Sequence, residues 1–175
     1  MKIVIIVYSG SGKSTLAKNL GLHYDIPVLH LDTAHFKPGW NERDNDEFES
    51  IVLEFMQNND SWVIDGNYRK IATNRFEEAD QIIFLNYNRF FCLISVIKRY
   101  FKNKDRTRLD MAPGCVEKLD FEFLWWVFAK GRNKVRRNQL DTIAKNHKNT
   151  LVFKNRKQLH KYYSEHNIKN YAENK

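Results

Sequence analysis

Short continuous apolar runs alternate along the chain with longer stretches whose apolar positions recur every three or four residues. The first run, 3–8, is β-branched up to Tyr8, as a strand buried on both faces should be. A helix is expected over 13–24 and a second strand over 27–31. The stretch 42–58 reads as a helix because Phe48, Ile51, Val52, Phe55 and Met56 fall on one face. Further strands are expected at 62–65, 81–86 and 151–153. A helix over 89–102 runs into a charged loop at 103–113. One long helical region, 117–145, carries Phe121, Leu124, Trp125 and Phe128 on a single face. A last helix covers 156–166, and the polar tail 168–175 is expected to fray. Strand–helix alternation of this kind predicts a single α/β domain, 1–175, around a parallel sheet, with no internal repeat.

Composition narrows the class. At 175 residues with 42 % hydrophobic and 14 % aromatic content, the chain can bury a core and is too apolar for a disordered protein. Its longest mostly apolar stretch, 90–97, is far too short to span a bilayer, so no membrane partner is expected. The first residues read as a strand leading to glycines, not as a signal peptide. Cys92 and Cys115 have no metal-ligand spacing and fit reduced thiols in a cytoplasmic protein. The net charge of +8 is uneven: residues 1–87 balance at −5 and residues 88–175 at +13. Such a basic half implies a polyanionic partner, either nucleotide phosphates or nucleic acid.

The sharpest chemical signal is Ser9-Gly10-Ser11-Gly12-Lys13-Ser14-Thr15, between a strand and a helix. Glycines there let successive amides converge on a phosphate at a helix N-terminus. Lys13 would reach the β- and γ-phosphates of ATP, and the Ser14 hydroxyl is suited to Mg²⁺. The usual pattern has glycine at position 7, where this chain has Val7. Valine there either finishes the strand without strain or crowds the loop, and in the second case Val7→Gly should tighten nucleotide binding. No glycine has aspartate three residues before it, which argues against a guanine-nucleotide switch.

Two carboxylates end apolar runs, where ligands gather in open α/β sheets. Asp65 would hold Mg²⁺ through its water shell, or simply start an Asp-Gly turn. Asp32 would orient an acceptor hydroxyl, or cap a helix. His30 and His35 read as packing or rim residues, and the indole of Trp40 as packing or a stacking surface. Arg106 and Arg108 lie in a candidate lid, 103–116, where they would close over the transferring phosphate. Arg132 and Arg136, four apart on the long helix, would converge on one anion. These arginines would equally suit DNA, although no recognised DNA-binding motif is present.

The segments YSGSGKSTLAKNL, PVLHLDTAHFKPGW, SWVIDGNY and ADQIIFLNYNRF together resemble the bacterial DNA topology modulation protein family, small adenylate-kinase-like phosphate-loop proteins, over about residues 1–137. The resemblance implies a three-layer fold of the P-loop nucleoside and nucleotide kinase type. Its parallel five-stranded sheet would run in the order 2-3-1-4-5, with a small helical lid. It also implies ATP and Mg²⁺ as ligands, with Asp65 at the acidic position of the third strand. Arg99 would help hold the ATP end, and Arg132 and Arg136 would grip phosphates of both substrates. The reading that follows is a kinase-like protein passing the ATP γ-phosphate to a small acceptor. Its alternatives are a nucleotide-dependent DNA-binding regulator and a nucleotide binder without turnover.

Overall fold

A computed structural model describes residues 1–104, 106–108 and 110–171. Strand β1 (Lys2–Val7) lies at the centre of a five-stranded sheet with β2 (Val28–His30), β5 (Trp62–Asp65), β6 (Gln81–Leu85) and β7 (Thr150–Phe153). All neighbours pair in parallel, in the order β2-β5-β1-β6-β7. Numbering only the strands of this sheet gives 2-3-1-4-5, the order the resemblance implied. Central strands read as unbroken Ile and Val because both faces are covered. Ile3 to Ile6, Val63, Ile64, Ile82 and Ile83 are all fully buried. The register sets Ile5 and His30 opposite Asp65, so the carboxyl ends of β1, β2 and β5 finish together.

Helices flank the sheet: α1 (Lys13–Tyr24), α3 (Asn45–Gln57), α5 (Arg89–Asn103), α7 (Lys134–Asn146) and α8 (Arg156–Glu165), with shorter α2 (Leu31–His35), α4 (Asn74–Glu78) and α6 (Phe121–Phe128). Among the described residues, no helix is long and apolar enough to cross a membrane.

Several expectations change. The helix expected from 42 begins later, because Asp44 caps α3 by accepting from the Asp46 amide at 2.9 Å, while Glu42 pairs with Phe36 in a small hairpin of β3 (Phe36–Lys37) and β4 (Asn41–Glu42). The long helix expected over 117–145 is broken. Asp120 caps α6, the chain turns through Lys130–Arg132, and Asn133 caps α7 through the Arg136 amide. Gly131 permits this turn: a Cβ there would lie 2.8 Å from the Trp126 carbonyl oxygen. The tail packs as far as it is described. Ile168 is buried, and the Tyr171 amide donates to Asn19 Oδ1 at 3.3 Å. Residues 172–175 of that tail, and 105 and 109 of the candidate lid, lie outside the described residues.

Candidate active site

Between β1 and α1 the chain curls through Gly10 (φ 84°) and Gly12 (φ 90°), a backbone that side-chain-bearing residues rarely adopt. The two glycines serve different ends. A Cβ on Gly10 would lie 2.5 Å from the Cys92 carbonyl oxygen, so Gly10 lets the loop pass close to α5. A Cβ on Gly12 would meet nothing within 4 Å, so the N-terminus of α1 faces open space with no side-chain cap. Ser11 turns inward instead, its hydroxyl donating to the Tyr8 carbonyl at 2.5 Å. Val7 is an extended strand residue paired with Leu85, its side chain buried in the core. It ends the strand without strain.

Lys13 Nζ lies 2.5 Å from Asp32 Oδ2, and the Tyr68 hydroxyl donates to Asp32 Oδ1 at 2.9 Å. Burial pushes the Asp32 carboxyl up, but the charge of Lys13 and the bonds from Lys13 and Tyr68 outweigh it and hold the group below the usual carboxylate range. Burial likewise pushes Lys13 down, while the charges of Asp32, Asp65 and Asp110 leave its pKa above the ordinary lysine value.

Tyr68 is set by the loop after β5. Asn67 accepts from the Val7 amide at 3.0 Å and donates to the Val7 carbonyl at 2.5 Å, tying this loop to the strand that leads into the phosphate loop. Arg75, fully buried, donates to the carbonyls of Tyr68 (2.9 Å), Ala72 (3.1 Å) and Ile71. Burial pushes its guanidinium down to about 10. An arginine that spends its donors on three carbonyls of one loop is holding that loop's shape.

Described residues of the segment between α5 and α6 line this cleft, among them Arg106, Thr107, Arg108, Asp110 and Met111. Thr107 bridges Val116, and Met111, Ala112 and Cys115 pack on Phe36 and Trp40. Trp40 Nε1 donates to the Val116 carbonyl at 2.9 Å, so the indole packs against this segment from the β3–β4 hairpin. Glu117, with a side chain only 3 % exposed, gathers two guanidiniums: Arg99 Nη2 at 2.7 Å and Arg108 Nε at 2.8 Å. Arg108 Nη1 also meets Asp110 Oδ2 at 3.1 Å. Asp110 shares the cleft with Ser14 of the phosphate loop. Burial raises the Asp110 carboxyl, yet the Arg108 charge, helped by the nearby Ser14 and Lys13, prevails and holds it below the ordinary value.

Arg132 and Arg136 do not share a helix face, because the turn at Lys130–Arg132 separates them. Arg132 stacks 3.9 Å from the Tyr8 ring centroid and donates to the Tyr87 carbonyl (2.8 Å) and Cys92 Sγ (2.9 Å). Arg136 stacks on Trp126, also at 3.9 Å. Arg106 is exposed at the cleft lip. Asp65 is fully buried and bonds His30 Nδ1 at 3.1 Å through Oδ2, while its Oδ1 has no partner among the described residues. His35 packs among Phe36, Phe48 and Tyr68.

Every residue singled out in the sequence for chemistry lines one cleft of about 1250 Å³, except Ser11 and Asp65. Three participants escaped the sequence: Tyr68, Asp110 and Glu117. Tyr68 belonged to a quoted motif with no role attached to it. Asp110 and Glu117 lie in or beside the lid, among arginines, and only their burial identifies them.

No family model matches the sequence, and no curated protein sequence matches it. Solved structures do. Deoxyadenosine kinase from M. mycoides, solved with dCMP and dCDP bound, is 14 % identical, with a TM-score of 0.50 over 87 % of this chain and 90 % of that one. Shikimate kinase from Bacteroides thetaiotaomicron is 14 % identical, with a TM-score of 0.50 over 87 % and 85 %. The chain has the fold of the P-loop kinases.

Proposed function

We propose that this protein is an ATP-dependent phosphotransferase that moves the γ-phosphate of ATP onto a hydroxyl or phosphate oxygen of a small acceptor. One observation carries the reading: the phosphate-loop lysine touches a carboxylate whose other oxygen is bonded by Tyr68. Groups suited to the phosphate donor and to the acceptor thus meet at a single contact in one cleft.

The open N-terminus of α1, with Gly12 at positive φ, fits an anionic triphosphate. Ser14 at the cleft, and Asp65 buried behind His30, would be the donors for magnesium, which when bound would offset negative charge on the phosphates. The partnerless Oδ1 of Asp65 suits a carboxylate that completes its bonding to metal-bound water. With Lys13 turned to the triphosphate, Asp32 is released to accept the acceptor's hydroxyl proton, and Tyr68 keeps it aimed. The acceptor oxygen bonds to the γ-phosphorus as the bond to the bridging oxygen of ADP breaks, and the proton passes through Asp32 to solvent. Arg99, Arg106, Arg108, Arg132 and Arg136 line the cleft as sources of positive charge for the transferring group. In this reading the basic half of the chain serves substrate phosphates, and no particular observation favours DNA.

The test is an acceptor panel of nucleosides, nucleotides and small hydroxylated acids with ATP–Mg²⁺, reading ADP release and acceptor phosphorylation. Transfer to at least one acceptor, lost in Lys13→Ala, is expected. No transfer to any acceptor, with Lys13→Ala binding ATP as well as the parent, rejects the reading.

A further inference from the structure

Helices α5 and α6 lie side by side and antiparallel. Phe90 at the start of α5 meets Phe128 at the end of α6, with ring centroids 5.4 Å apart, while Arg99 further along α5 lies 6.0 Å from the Phe123 ring near the start of α6. Each helix leaves an apolar stripe facing out. On α5, Phe90, Ile94 and Phe101 are 60, 53 and 71 % exposed; on α6, Phe121 and Trp125 are 80 and 52 % exposed. Trp125 stands 6.5 Å from Phe128, which joins the two stripes into one patch.

The spacing within each stripe is that of a helix seam. With half-buried Ile97, the α5 positions step by four, three and four, and on α6 Phe121, Trp125 and Phe128 step by four and three. The five exposed residues present roughly 500–650 Å² if each aromatic carries about 150–250 Å² when fully exposed. That is at or above the largest apolar patch usual on a monomer, about 300–600 Å². It also supplies most of the about 800 Å² per partner that a stable pairing needs.

We infer that this face is the two-fold interface of a homodimer, in which α5 and α6 of two copies form a four-helix pack. An isologous contact of two antiparallel helices is self-complementary. A second copy offers this face charges of both signs. The carboxylates of Asp120 and Glu122 flank Phe121, whereas the flank of α5 carries exposed Lys98 and Lys102, so crossing α6 of one copy with α5 of the other sets opposite signs together. Ile94 also lines the cleft, so the interface borders the site.

Sedimentation velocity of the full chain over a concentration series tests this, independently of any catalytic activity. The parent should reach twice the chain mass reversibly. Phe101→Glu with Phe121→Glu alters two well-exposed positions and should raise the dimer dissociation constant at least about a hundredfold, with an unchanged circular dichroism spectrum. Hydrogen exchange on the parent is a second measure that needs no variant: protection of α5 and α6 should rise with protein concentration. A parent that stays monomeric overturns the inference, as does a dimer that tolerates both glutamates without concentration-dependent protection. Monomers that bind anionic vesicles through this face would overturn it in favour of a membrane surface.

Discussion

Asp110 pairs with Arg108, its Oδ2 3.1 Å from Arg108 Nη1, in the cleft that also holds Lys13 and Ser14 of the phosphate loop. A carboxylate held there by Arg108 puts negative charge where the proposed nucleotide phosphates bind. Under the proposed function, that carboxylate would compete with substrate phosphates.

Removing that charge should help the nucleotide. Asp110→Asn gives up a charge-assisted bond, and ATP–Mg²⁺ affinity should rise about tenfold. Titration calorimetry on parent and variant measures it. Unchanged or weaker affinity would show that Asp110 does not compete for this position.

A second expectation separates binding from chemistry at Asp32. Asn in its place keeps the shape but cannot take a proton. ATP affinity should hold or improve as Lys13 loses its partner, while the rate of transfer falls by roughly 10²–10⁴. Tyr68→Phe, which removes only the bond that aims Asp32, should cost about tenfold. A steady-state split of kcat from KM for ATP distinguishes these outcomes. Loss of ATP binding with intact transfer per bound nucleotide would contradict the roles given to Asp32 and Tyr68.

Much of this geometry is legible in the chain because it is local. The strand from Lys2 to Val7, the glycine loop and the helix from Lys13 follow one another directly, and a buried central strand has to be a continuous apolar run. The elements that were missed are short or non-local. The five residues of α2 and the paired dipeptides of the β3–β4 hairpin are too brief to show a period. The break at Gly131 is set by its approach to Trp126, a contact that helical periodicity on either side conceals. Glu117 gives no sign in the sequence of pairing with Arg99, because that contact depends on how α5 and the lid fold back on each other. For Val7 the sequence leaves two readings open, and the backbone decides for ordinary strand over crowding of the loop.

Val7 accordingly supports stability and has no direct part in nucleotide affinity. Glycine in its place would empty a core position and loosen a central strand, at a cost of about 2–4 kcal/mol. Thermal or urea unfolding should register that loss, with the ATP dissociation constant measured below the midpoint staying within about twofold. Tighter nucleotide binding in the variant would revive crowding of the loop by the isopropyl group.

The pH dependence of stability follows from how the cleft charges are paired. Asp32 and Asp110 are held below the ordinary carboxylate value because Lys13 and Arg108 outweigh the effect of burial. A carboxyl with a depressed folded-state pKa adds stability above its unfolded pKa, and that contribution disappears as pH falls through the folded value. Lys13 is the opposite case. Its pKa is raised, so its contribution is complete below the ordinary lysine value and is lost as pH rises through the higher folded one. The two windows overlap between about pH 4 and about pH 10.4, where these groups leave the melting temperature flat. Below and above that range it should fall. Asp32→Asn removes the largest of the charges that hold Lys13 up against its burial, so the folded-state pKa drops and the alkaline fall should be smaller in the variant than in the parent. Melting curves across the alkaline range decide it: coincident falls in the two proteins would mean that the Lys13–Asp32 contact does not govern the charge of this lysine.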